Sequence, residues 1–541
     1  MQAKRFLGNK MTTEADAIVV GSGINGLVAA AELAQAGWSV ILVERNAKTG
    51  GFIATEERTL PGYLNDTFSS WHPLFVTGPA YAALGKILHR HGLEYRNTDN
   101  WVTASVADDG RVTFVHRDPE RTAAEFPHPD DRSAYLTMLQ RLGENMESIG
   151  GLLGSELRSF ALVRHISDLI QSSGLRRAEW WLRAAATSGR AYAHRDFRGP
   201  EVDHLYAPWL LHDGLSPDNA AGGLMTPLFA ANLHGAGLPV VAGGAGQFVA
   251  AFQSLLASLQ VDVKTNCEVE HILVADGRAV GVDVAGHTLR ARRAVLASVT
   301  PSALYNRLLP ESAVDPDLRV EAARFRHGRA AMQIHVALSE PLSWTDSRLK
   351  QVPLIHLSDG SASTGIACAE AEAGLLPQLP TVAVGQQYLL DPSRVPPGAA
   401  ALWIQLLEVP FAPRGDSAGK LDAKHGWTKA LAEGFANRVL DRISAHAPDL
   451  RRKIRKIDVL TPHDLQARNP NAVNGDPYGG SAELDQSLLW RPLASLGRHA
   501  TPVDRLWHIG ASTHPGPGLN GGSGHLVATT LIRNVASAEN Y

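Results

Sequence analysis

The chain has 541 residues, 44% of them hydrophobic and 19% charged, with a formal net charge of −3. That is the composition of a globular protein with ample core, long enough for roughly two to four domains or two large interleaved ones, and its weak acidic balance gives no reason to expect a nucleic-acid partner. It contains no apolar run of about 18 residues, so no membrane span is predicted; two distant cysteines, Cys267 and Cys368, exclude a disulfide framework or dithiol centre and fit a reducing, cytoplasmic setting.

Residues 1–13 are polar, with Lys4, Arg5 and Lys10 and no apolar h-region, and read as a disordered lead rather than a secretory signal. Ile18 to Val20 then predicts a short buried strand. Gly21, Gly23 and Gly26 make a G-x-G-x-x-G turn around Ser22 and Asn25, and Gly26 to Gln35 predicts a helix. Gly21 permits the tight turn, Gly23 lets backbone approach a pyrophosphate, and Gly26 lets helix pack on strand, with the phosphate on free N–H groups at the helix N-terminus. A second strand, Ser39 to Val43, ends in Glu44, in the window of about 20 residues where a carboxylate binds ribose hydroxyls. Arg45 follows, and then a second glycine pair, Gly50 and Gly51, which lets another loop pass close to the cofactor phosphates. NAD enzymes do not generally need that pair; FAD enzymes of the glutathione-reductase and amine-oxidase type have it, so the region resembles an FAD site.

Tyr81 to His91 reads as a helix stopped by Gly92, and Trp101 to Phe114 as a hairpin around Asp108-Asp109-Gly110. Arg132 to Leu153, Leu157 to Leu169 and Arg176 to Ala186 are helical by period and interrupt the nucleotide fold. Val240 to Gly246 gives another strand and glycine turn, with a helix to Leu259. The next strands, Asp262 to Lys264, Glu268 to Val274 and Ala279 to Val284, come too close together for a second βαβ unit and predict a β-meander. No separate NAD(P)H domain is therefore expected. Arg292 to Ser298 returns to the central sheet. Phe325 to Leu338 and Pro380 to Val409 are strand-rich, and Lys420 to Ala447 is helical. Arg451, Arg452, Lys453, Arg455 and Lys456 form a basic cluster that reads as a solvated helix face, or else as a contact with an acidic surface or membrane. Leu506 to Gly510 is a last strand, Ala511 to Gly518 a constrained loop, and Asn520 suits the N-cap of a final helix through Leu531.

Gly50-Gly51, Thr55-Glu56-Glu57, Pro61-Gly62-Tyr63, the segment Trp209 to Pro217 and the loop Thr513-His514-Pro515-Gly516 with the glycines beyond it occur in an order that resembles one family. It is the phytoene-desaturase-like FAD-dependent oxidoreductases, and within them the pyridine nucleotide-disulphide oxidoreductase domain-containing subgroup. Phe52 departs from the Arg that many amine oxidases and carotene desaturases carry after the glycine pair. The resemblance implies an α/β fold. A Rossmann-type FAD-binding domain of the glutathione-reductase and amine-oxidase type (14–98, 235–320 and 496–541) would be interleaved with an α+β substrate domain (99–234 and 321–495). It also implies that Val269 contacts adenine through its backbone. Gly510, Leu519, Asn520 and Gly521 would then bring a helix N-terminus to the flavin and stabilise its reduced, anionic form.

The chemistry so implied is FAD-dependent oxidation of a hydrophobic small molecule, with hydride passing to flavin N5 and electrons leaving to oxygen or a quinone. A flavin-dependent isomerase without net redox, and an FAD-binding scaffold of weak activity, are the alternatives. Three loop histidines, His72, His212 and His514, are the candidates for proton transfer. No H-E-x-x-H, paired C-x-x-C, Walker loop or G-x-S-x-G elbow occurs, so neither metal nor hydrolase chemistry is expected.

Overall fold

The computed structural model describes residues 13–159, 164, 167 and 175–539. The expected lead, but for Thr13, and most of the expected helix over 157–169 lie outside the described residues. Strand β1 (Glu14–Val20) and strand β2 (Val40–Val43) pair in parallel, Val19 opposite Leu42, with helix α1 (Ile24–Gln35) between them. Their cores are buried on both faces, which is why they read as unbroken apolar runs rather than alternating ones. The parallel part of the sheet runs Leu506–Ile509, His287–Ser298, β1, β2, Asp262–Lys264. His287–Ser298 serves two neighbours along one edge. Its first residues, His287 to Arg290, pair antiparallel with Arg278–Val284, and its last, Val295 to Ser298, pair parallel with Leu506–Ile509. Val269–Ala275 completes the meander beyond Arg278–Val284.

A second seven-stranded sheet carries the other half of the molecule. Its order is Ile454–Leu460, Ala330–Leu338, Ala400–Val409, Val382–Gly385, Leu354–Leu357, Trp101–Val106, Val112–His116, and only Leu354–Leu357 with Trp101–Val106 is parallel. The helix Lys429–His446 covers one face through Phe435, Val439, Leu440 and Ile443. Helices Pro129–Gly143, Glu201–Leu210 and Gly222–Ala236 cover the other through Tyr135, Leu205 and Leu233. The result is a Rossmann-type unit interleaved with an α+β unit.

The structure departs from the sequence reading in four places. The helix expected from Lys420 begins at Lys429, because Asp416 accepts from the N–H groups of Lys420 and Leu421 at 2.8 and 2.9 Å and Thr428 caps the helix proper. Arg132 to Leu153 is two helices, Pro129–Gly143 and Met146–Leu153. Leu354–Leu357 and Ile454–Leu460 are strands the sequence did not show. The basic cluster is not a helix face, since only Leu450–Lys453 is helical; Lys453 is buried against Asp449 at 2.5 Å and Arg451 pairs with Asp441.

The last helix, Gly522–Glu539, packs directly on α1. A Cβ on Gly524 would lie 2.1 Å from the Asn25 carbonyl oxygen, and the Gly524 N–H donates to Asn25 Oδ1 at 3.1 Å. Gly524→Ala is therefore expected to force these backbones apart at a cost of about 1–3 kcal/mol. A lower thermal midpoint, with loss of cofactor from the purified protein, is the expected reading; an unchanged midpoint would show that the helices are free to separate.

Candidate active site

The first glycine turn is built as a backbone cleft. Gly21 has φ +91° and donates its N–H to Val43 O at 2.8 Å, which ties β1 to β2. A Cβ on Gly26 would stand 1.9 Å from Gly21 O, so helix and strand touch backbone to backbone. A Cβ on Gly23 would enter open space, and α1 has neither a side-chain cap nor an acidic residue in its first turn. Gly51, at φ +61°, faces this opening, its Cβ position 3.4 Å from Gly23 Cα. N–H groups at an uncapped helix start, lined only by backbone, suit a pyrophosphate.

Glu44 is buried at the end of β2. Its Oε2 accepts from Ser22 N at 3.0 Å and Ser22 Oγ at 2.6 Å, and its Oε1 from Asn46 N at 2.8 Å. The carboxylate thus braces the glycine loop, a role the sequence did not reveal, while Oε1, with a single donor, keeps a lone pair for a further one. Arg45 reaches out to Glu268 at 3.8 Å. The strand holding Val269 is brought alongside by Asn266 N donating to Asn46 O and Cys267 N donating to Glu44 O, both at 2.9 Å.

A cavity of about 310 Å3 runs from this cleft into the second unit, at the lower end of the range for ligand sites. Of the expected cofactor residues, Gly23, Asn25, Gly50, Gly51, Gly510 and Leu519 line it. Gly21, Ser22, Gly26, Glu44, Arg45, Val269, Asn520 and Gly521 lie off its wall. Gly521 is turned to α1, its Cβ position 2.8 Å from Val28 Cγ2, and Asn520 Oδ1 accepts from Gly522 N at 2.7 Å as the start of the last helix. The far wall is aromatic and aliphatic: Phe52 tilted on Phe68, Trp71 edge-on to Trp403, with Trp209, Phe229 and Leu407.

Only one of the three expected histidines reaches this cavity. His72 is fully buried, its Nδ1 on Tyr95 Oη at 3.0 Å and its ring edge-on to Phe248; burial pushes its pKa down to about 3. His514 is buried off the wall, its carbonyl accepting from His499 Nε2 at 2.8 Å. Neither of these two rings lies on the cavity wall: the sequence shows histidine-bearing loops, but which ring faces inward depends on packing. His212 does line the cavity, against Trp209 and with Nε2 2.9 Å from His356 Nε2; burial lowers its pKa to about 4. Sequence reasoning passed over the next residue, Asp213, which also lines the cavity. Its position inside the noted Trp209 to Pro217 segment was the available signal.

The family profile of flavin containing amine oxidoreductases matches residues 24–523. The chain belongs to that family. The pyridine nucleotide-disulfide oxidoreductase domain-containing protein 2 of Mus musculus is 25% identical over 99% of this chain and 96% of its own length. A neurosporene-forming phytoene desaturase of Cereibacter sphaeroides is 24% identical over 95% and 93%. The fold matches an oxidoreductase of Methanosarcina mazei with a TM-score of 0.63 at 14% identity, covering 96% of this chain and 99% of that one. This flavin amine oxidoreductase is accordingly an FAD-dependent oxidoreductase, and the Gly23–Gly51 cleft fits its cofactor. Among the described residues no three His, Cys, Asp or Glu side chains are grouped to hold a metal ion, and no helix is long and apolar enough to cross a membrane.

Two outcomes follow for purified protein. Glu44→Ala removes the brace of the glycine loop and is expected to weaken FAD binding by about 1.5–3 kcal/mol, read by equilibrium titration of the apoprotein with FAD. His72 has a folded pKa below its ordinary 6.5, so its neutral form contributes stability above pH 6.5 that is lost as pH falls towards about 3. The thermal midpoint should decline across that window, and less steeply in His72→Phe.

Proposed function

We propose that this flavoenzyme oxidises a hydrophobic small molecule, as a desaturase or dehydrogenase, by hydride transfer to flavin N5. The observation that carries the reading is the cavity itself, which is continuous with the glycine cleft and walled by Phe52, Trp71, Trp209, Phe229, Trp403 and Leu407. Phe52 stands where many amine oxidases carry an arginine, so this wall favours an apolar body over an anionic one. The relation to a phytoene desaturase supports the same substrate class. When bound, the flavin supplies the two-electron acceptor. The chain's own residues hold the substrate against it, exclude water with the aromatic wall, and take up the proton.

The cofactor unit is assigned to about 14–98, 235–320 and 496–541, with Gly21, Ser22, Gly23, Asn25, Gly26, Gly50 and Gly51 around the pyrophosphate, Glu44 on ribose and Val269 beside adenine. Gly510, Leu519, Asn520 and Gly521 form the flavin end. Electrons are taken to leave to oxygen or a quinone. This is supported by the state of the second glycine turn, which protein already fills. Gly243 N donates to Asp391 Oδ2 at 2.7 Å, and a Cβ on Gly244 would lie 2.4 Å from Thr55 Oγ1. This turn is therefore read as a joint rather than as a nicotinamide-dinucleotide cradle. Two free cysteines, Cys267 and Cys368, support a reducing compartment such as the cytoplasm.

The test is anaerobic mixing of the holoprotein with apolar polyenes, monoterpenes and hydrophobic amines, following loss of the oxidised flavin's visible absorption. At least one apolar class is expected to bleach it with formation of a new double bond, while NADH and NADPH leave it oxidised. Rapid stoichiometric bleaching by NADPH alone would overturn the acceptor assignment, and conversion of a polyene between isomers without bleaching would make the enzyme an isomerase.

A further inference from the structure

Two carboxylates line the cavity, and they differ in one respect. Asp476 is buried and spent: its Oδ2 accepts from Gly328 N and Gly480 N at 2.9 and 2.7 Å, and its Oδ1 from Tyr478 N at 2.7 Å. The Asp213 carboxylate makes no hydrogen bond and no ion pair within 4.0 Å to any described residue. The turn that presents it is nevertheless held on every side. Leu211 O accepts from Tyr478 Oη, His212 Nε2 meets His356 Nε2 at 2.9 Å, and Gly214 O accepts from Arg329 Nη2 at 2.9 Å. Gly214, at φ +84°, closes the turn with its Cβ position 3.0 Å from the Tyr478 ring. A rigid turn that aims an unpartnered carboxylate into an apolar cavity costs stability, so the group answers to a ligand rather than to the fold.

The charges that face it come from several elements. Among the described residues Arg491, fully buried, donates only to carbonyls: Ala511 O at 2.7 Å, Tyr478 O at 3.0 Å and Ser481 O at 3.2 Å. Its positive charge is therefore felt by Asp213 and Asp476 from behind the Ala511 loop. Arg329 and the Tyr478 phenol hold the flanking carbonyls of Gly214 and Leu211, and His212 and His356 are both kept neutral by burial. Burial lifts the Asp213 carboxyl to about 7 against the pull of Arg491. Such a group exchanges a proton at neutral pH, which is what a general base needs.

We propose that Asp213 accepts the proton released when the substrate is oxidised in this cavity. The proposal rests on the oxidoreductase reading above and names the group that completes it. One C–H bond of the substrate breaks with its electron pair, which leaves as hydride to the flavin. The hydrogen on the neighbouring atom leaves as a proton to an Asp213 oxygen, and the pair it leaves behind forms the double bond. Asp213 would hold that proton through the oxidation and release it to the acceptor side once the electrons have left, the flavin supplying the two-electron chemistry when bound. His212, its Nε2 tied to His356, fixes the turn.

Asp213→Asn keeps the shape of the turn, and Asp213→Glu keeps the acid. The first measurement needs no substrate: the reduction potential of the bound flavin against pH in the holoprotein. Wild type is expected to show an inflection near pH 7, absent in Asp213→Asn and present in Asp213→Glu. An inflection that survives in Asp213→Asn, or none in wild type, would overturn the proposal. The second uses the compound that bleaches the wild-type flavin. In Asp213→Asn its limiting rate should fall by about 100-fold or more and lose its rise through neutral pH, with the half-saturating concentration unchanged. If only that concentration moves, Asp213 is an anchor and the proposal fails. Failure of the oxidoreductase reading looks different, because then no compound bleaches wild type at all.

Discussion

The cofactor end of this molecule depends on backbone meeting backbone around the first turn of α1. Gly26 rests on the Gly21 carbonyl, Gly524 on the Asn25 carbonyl, and Gly51 faces Gly23. No side chain fits at the first two contacts, since an added Cβ would overlap an oxygen at 1.9 or 2.1 Å. The geometry leaves α1 without a side-chain cap, so the orphan N–H groups of its first turn are available to an anion. Glu44 then holds the loop from the far side through Ser22, which makes one carboxylate both a brace and a candidate ribose ligand.

The two units are joined by charge buried where water cannot screen it. Arg394 donates to Asp66 at 2.5 Å and to Asp391 at 3.2 Å, all three buried. Asp66 also accepts from Ala245 N at 2.7 Å and Ser70 Oγ at 2.6 Å, and Asp391 from Gly243 N at 2.7 Å. A buried pair of this kind adds little over an apolar contact, but losing one partner strands the other and costs about 3–5 kcal/mol. The second glycine turn is thus tied to Asp66 and Asp391 as a joint.

How far the sequence could be read follows from what kind of constraint was local. The G-x-G-x-x-G turn and the acidic strand end were legible because backbone conformation over a few residues demands those residue types; Asn520, expected as the N-cap, stands one residue earlier and accepts from Gly522 N. The four-residue run Leu354–Leu357 was not, since so short an apolar stretch has no period to distinguish strand from loop. Ile454–Leu460 was masked by Arg455, Lys456 and Asp458, which an edge strand tolerates and an interior strand does not. The inward placement of His212 is set by contact between segments far apart in sequence, as with His212 and His356 at a separation of 144. No local pattern encodes it.

The strand His287–Ser298 offers half of one edge to the meander and half to Leu506–Ile509, and the helix after that strand lies on α1 across 499 residues of sequence. A chain emerging from the ribosome therefore makes its glycine turn first and its closing wall last. Until Gly524 has been synthesised, the Asn25 carbonyl and the N-terminus of α1 remain open to water on that side. Contacts of such sequence separation form late and slowly. The packing of this helix on α1 consequently waits for Gly524, and a truncation ahead of Gly524 bares the Asn25 carbonyl while leaving every residue of the glycine motif intact.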